Sequence, residues 1–107
     1  MSGERFAVEV IDALPAEPER NLNDWTIEVR ARDGTPVAAE LARAETFMPV
    51  HGHDGRVRPR MTALSAPGLF RLERLNFTMR GPWEVRLWLR STELAEDELV
   101  FDVCVAK

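Results

Sequence analysis

Pro82-Trp83-Glu84-Val85-Arg86-Leu87-Trp88-Leu89-Arg90 is the stretch whose pattern decides the fold class. Trp83, Val85, Leu87 and Leu89 alternate with Glu84, Arg86, Trp88 and Arg90, and a period of two marks a strand with one buried face. The same period recurs on either side of it. Phe6, Val8 and Val10 share a face against Glu9. Trp25, Ile27, Val29 and Ala31 alternate with polar residues from about Leu22 to Arg32. Leu99, Phe101, Val103 and Val105 close the chain in the same way. Asp33-Gly34, Asp54-Gly55, Pro67-Gly68 and Gly81-Pro82 supply turns between these runs. About seven short strands at roughly 8–12-residue spacing, with no regular helix–strand alternation, predict an all-β antiparallel sandwich or barrel.

The expected core follows from the phase of each strand: Phe6, Val8, Val10, Trp25, Ile27, Val29, Leu72, Trp83, Val85, Leu87, Leu89, Leu99, Phe101, Val103 and Val105. Asp12 to Asn23, broken by Pro15 and Pro18, reads as a long surface connection. Residues 37–46 are ambiguous. Val37, Leu41, Ala44 and Met48 share a face as a helix, whereas Val37, Ala39 and Leu41 point inward as a strand, which the neighbouring strands favour. Val57 to Ala66 reads as an edge strand interrupted at Pro59. In Leu69 to Phe77 a phase slip near Arg74 predicts a bulge. Ser91 to Asp97 reads as an acidic loop.

Residues 1–107 are one domain, with no room for a second. A formal net charge of -4, with one lysine and thirteen arginines spread along the chain, argues against nucleic acid. Cys104 is the only cysteine, which excludes an intramolecular disulfide and thiolate zinc or iron–sulfur centres. No segment approaches the roughly 18 apolar residues of a membrane span, so no direct membrane insertion is expected. Met1-Ser2-Gly3 running at once into strand sequence looks like a trimmed start, compatible with a removed export signal or anchor.

The chemistry concentrates in Phe47-Met48-Pro49-Val50-His51-Gly52-His53-Asp54-Gly55, which holds both histidines. Gly52 and Gly55 permit backbone conformations in which two imidazoles converge. Met79, in a second connection, is positioned to join them. His51 and His53 with the thioethers of Met48 and Met79 form a ligand set that suits copper, Cu(I) more than Cu(II). Zinc fits less well, because thioether is a poor ligand for it and Asp54 is the one nearby carboxylate. Histidines in a glycine-rich loop are also compatible with simple solvation, and Met48 and Met79 with packing at strand ends. Met61 reads as a core or edge residue, Cys104 as a semi-exposed thiol, and Trp88, out of phase with Trp83, as a partner surface or an edge cover. No catalytic activity is expected: Ser65, His51 and Asp54 lack a nucleophile-elbow sequence, and no carboxylate sits in an apolar setting.

Taken together, these markers resemble the YtkA-like domain family, small extracytoplasmic β-sandwiches related in pattern to FixH-type proteins. The resemblance runs from about Phe6 to Val105. It rests on Asn23, Asp33-Gly34-Thr35-Pro36-Val37, Met48-Pro49-Val50-His51-Gly52-His53, Pro67-Gly68-Leu69-Phe70 and Asn76-Phe77-Thr78-Met79-Arg80-Gly81-Pro82-Trp83. It implies an immunoglobulin-like sandwich outside the cytoplasm, periplasmic or tethered by a segment not present here, with a part in copper handling. Met48, His51, His53 and Met79 match the family's motif positions. Asp54 departs from the pattern, which has a glycine after the second histidine. The resemblance therefore implies a copper carrier or accessory module. The alternative is a metal-free immunoglobulin-like interaction domain that docks an envelope or membrane protein partner through Trp88 and its face.

Overall fold

The computed structural model describes residues 3–92 and 94–106. Met1 and Ser2, read as part of a trimmed start, lie outside the described residues. The strands are β1 (Phe6–Leu14), β2 (Asn21–Ala31), β3 (Glu40–Met48), β4 (His53–Asp54), β5 (Arg60–Ala63), β6 (Leu69–Phe77), β7 (Gly81–Arg90) and β8 (Asp97–Val105). They form two four-stranded antiparallel sheets, ordered β1-β2-β6-β5 and β4-β3-β7-β8. That is the immunoglobulin arrangement with a two-residue strand added at one edge. The predicted sandwich is the observed one.

The inner faces of both sheets make one core, and β7 sets its depth: Trp83, Val85, Leu87 and Leu89 are all at most 1% exposed. Every expected core residue is buried except Val10 and Phe101, which are half-buried and pack against it. Phe101 meets Trp25 edge to face, with ring centroids 5.6 Å apart.

Three bulges explain where the alternating pattern breaks. Asn23 pairs with Leu75 and Trp25 with Leu72, so Arg74 is the extra residue on β6, at φ 66°. Its amide donates to the Asp24 carboxylate, and the slip predicted near Arg74 is this bulge. A second irregularity, between Leu41 and Arg43, changes the phase of β3, which faces Ala44, Thr46 and Met48 toward the interior. Residues 37–46 are therefore strand from Glu40 onward, and no helix forms. The third lies between Val10 and Asp12 and carries β1 on to Leu14. The expected long connection from Asp12 shrinks to residues 15–20, because Asp12 to Leu14 find ladder partners on β2.

Two turns behave differently from expectation. Asp33-Gly34 does turn the chain, with Gly34 at φ 93°, but it leads only to an isolated bridge between Arg30 and Pro36. The chain then crosses to the other sheet, so β2 and β3 are not a hairpin. Gly81-Pro82 is the start of β7, not a turn. Proline is tolerated there because the β3–β7 ladder ends at Phe47 and Glu84, short of Pro82. Asp97, expected in a loop, opens β8 and is buried.

Candidate functional site

β3 ends at Met48, turns through residues 49–52 and returns as β4. The turn is closed by the amides of Gly52 and His51, which donate to the Met48 carbonyl at 2.8 and 3.3 Å. Gly52 sits at φ 66°, the left-handed region that glycine enters without strain. His51 lies in the turn and His53 opens β4, and both are exposed. Their ring centroids stand 5.7 Å apart with planes 33° from parallel. A metal bound at about 2.0 Å by an imidazole nitrogen lies roughly 3 Å from the ring centre, so two imidazoles on one ion stand at most about 6 Å apart. The observed spacing falls within that reach.

The two methionines lie at the same end but at different depths. Met48 is 2% exposed, and its methyl lies close enough to Gly81 that a Cβ there would stand 2.6 Å away. Met48 is directly opposite His53 in the β3–β4 ladder, so its side chain and the imidazole leave the same face of the hairpin. Met79 is 37% exposed in the connection from β6 to β7. Its carbonyl accepts the Trp83 indole N–H at 2.9 Å. Trp83 is itself packed edge to face on Phe77 at 5.6 Å. Met79 is two residues from Gly81, so both connections close over the same buried floor. Among the described residues, no three His, Cys, Asp or Glu side chains converge on one point. Asp54 turns its carboxylate to the amide of Arg56 at 2.9 Å.

Buried polar side chains fix this end of the sandwich. The Thr46 hydroxyl donates to the Asn76 carbonyl at 2.9 Å, the Gly55 amide donates to the Thr46 carbonyl at 2.9 Å, and the Asn76 amide side chain donates to the Gly55 carbonyl. The exit of the hairpin is thereby tied to β6 in the opposite sheet. Gly55 serves through its missing side chain, because a Cβ would collide with Thr46 Oγ1 and the Asn76 carbonyl. Asn23, 2% exposed, accepts the Glu19 amide and donates to the carbonyls of Glu19, Asn21 and Leu75. Neither asparagine had a role assignable from the sequence. The available signal was an asparagine in phase with the inward series Trp25, Ile27 and Val29.

Other candidates are placed elsewhere. Trp88 is half-buried on the outer face of β7, with the Arg43 guanidinium 4.6 Å from its ring centre. Its ring is covered on one side, which makes it a poor bare anchor for a partner. Met61 is half-buried against the core. Cys104 is exposed and free. Ser65 lies in the β5–β6 turn, at the opposite end of β6 from Phe77 and the hairpin, so the Ser65, His51 and Asp54 combination is not assembled. Among the described residues, no helix is long and apolar enough to cross a membrane.

No curated protein and no solved structure matches the chain. The model of the YtkA-like family matches residues 5–87, from the start of β1 into β7, and the chain belongs to that family.

Proposed function

We propose that this domain is an extracytoplasmic copper-binding module, a carrier or accessory that takes up and releases Cu(I) rather than an enzyme. His51 and His53 supply nitrogen and Met79 supplies sulfur from the neighbouring connection. Met48 supplies sulfur from beneath, opposite His53. The observation that supports this most is the 5.7 Å pairing of two exposed imidazoles on a hydrogen-bonded hairpin at the end of the sandwich where both thioethers lie. Thioether sulfur selects a soft ion, and an exposed loop site favours exchange with a partner over permanent retention. Placement outside the cytoplasm and delivery to an envelope protein follow from the same reading.

The test is an anaerobic Cu(I) titration against a chromophoric competitor, with wild type beside the double variant His51→Ala/His53→Ala. One equivalent bound by wild type and none by the variant is the expected result. Failure of the wild type to withdraw Cu(I) from the competitor refutes copper binding.

A further inference from the structure

Along β3 the hydrogen-bonded ladder is one-sided. β7 pairs with it from Glu40 to Phe47, whereas β4 pairs only with Phe47 and Met48. The Gly55 amide takes the Thr46 carbonyl on the side away from β7, so among the described residues 40–45 have a bare edge there. That edge opens onto a groove whose other wall is the Arg58-Pro59-Arg60 stretch and β5. One part, about 630 Å³, lies over Ala39, Leu41, Met61 and Phe70. A second part, about 440 Å³, continues past Leu41 to Glu45.

The groove is basic although the chain is acidic. Arg58, Arg60, Arg74 and Arg90 line its larger part, where Glu40 is the one carboxylate. Arg60 and Arg90 are held by Glu73 and Glu40 at 3.5 and 3.2 Å, in exposed pairs that a competing anion can displace. Arg58 and Arg74 have no ion-pair partner among the described residues.

We propose that this groove docks an extended acidic segment of another protein, added as a strand to the free edge of β3. Its alternate apolar side chains fill the floor over Leu41, Met61 and Phe70, and its carboxylates meet the arginines. The bare edge favours a peptide over an anionic lipid, because an acyl chain has no groups to pair with exposed backbone N–H and C=O. Charge excludes a basic segment. The groove continues to the exit of the histidine hairpin, where Thr46, Asp54, Gly55 and Arg58 line the next cleft. The docked segment would therefore run beside that hairpin, whether or not metal binds there.

The test uses a short fluorescent peptide alternating valine with glutamate, its counterpart alternating valine with lysine, and dodecanoate. Anisotropy gives affinity, and amide hydrogen exchange gives location. The acidic peptide is expected to bind about tenfold tighter than the basic one or better, and to slow exchange at residues 40–45. The double variant Arg58→Glu/Arg74→Glu should lose it, while Arg58→Lys/Arg74→Lys, which keeps the charge, should retain most of it. Equal binding of both peptides overturns the proposal, as does protection elsewhere, or binding indifferent to the Glu variant. Dodecanoate binding in the groove without the acidic peptide replaces it with a lipid site. Self-association of the free chain that the Glu variant abolishes replaces it with a second copy.

Discussion

Met48 and His53 face each other across the β3–β4 ladder, yet Met48 is 2% exposed while His53 lies in solvent. The pair is the step from core to surface at this end of the sandwich. It separates two roles that the sequence could not. Met48→Ala removes a fully buried side chain and should cost about 2–4 kcal/mol. Met79→Ala, at an exposed connection, should change stability by less than about 0.5 kcal/mol. If copper binds as proposed, Met79→Ala should weaken Cu(I) by about tenfold or more. Urea unfolding beside the competitor titration reads both effects. Unchanged Cu(I) affinity in Met79→Ala would remove Met79 from the ligand set.

The glycines of the hairpin should respond in an order that backbone angles alone do not give. Gly52 has the positive φ, but the space around it is open, so Gly52→Ala should cost about 1 kcal/mol in strain. Gly55 has no such φ, but its added Cβ has nowhere to go against Thr46 and the Asn76 carbonyl. Gly55→Ala should cost about 2–3 kcal/mol through overpacking. Urea midpoints of the two variants decide it, and a Gly52 effect larger than the Gly55 effect would contradict this account.

Strand phase was legible because burying one face imposes a period of two, and nearly every inward residue of β2, β7 and β8 could be read in advance. Of the pairing changes, the slip near Arg74 was legible, and those in β1 and β3 were not. Residues 37–46 read as strand only through their context, because alanine-rich segments carry helix propensity and the bulge between Leu41 and Arg43 hides the strand period. At the candidate site, His51 and His53 could be placed side by side from their spacing, although only His51 lies in the turn and His53 opens β4. The depth of Met48 depends on where β3 stops, which local sequence does not encode. Thr46, Asn76 and Asp97 work through partners 30, 21 and 93 residues away, beyond any local pattern.

Asn23 should be among the most sensitive polar positions. Its amide group both donates and accepts, so neither a carboxylate nor a methyl can replace it. Asn23→Ala strands the Glu19 amide and the Leu75 carbonyl and should cost about 2–3 kcal/mol. Asn23→Asp should be no better, since a carboxylate cannot donate to the carbonyls of Glu19, Asn21 and Leu75. Urea unfolding of both variants tests this, and a rescue by aspartate would show that the accepting contact alone matters.

Asp97 joins the two sheets at the end remote from the histidines. From the first residue of β8 it accepts the amides of Arg5 and Phe6 at 2.9 and 3.1 Å, and that of Glu4 at 3.3 Å. Burial pushes its carboxyl up, but these three amides and the nearby Arg5 charge together hold it below its ordinary value of 3.8. A depressed folded value means the ionised form stabilises the fold. That contribution is complete above the unfolded carboxyl's value and disappears as pH falls through the lower folded one. Asp97→Asn should therefore cost about 1.5–3 kcal/mol at neutral pH. The deficit should narrow as the pH is lowered below 3.8, because wild type then loses what the variant never had. Thermal or urea unfolding of both proteins from neutral pH into this acid range measures it. A deficit that stays constant throughout would mean that Asp97 contributes through its shape and hydrogen bonds without its charge.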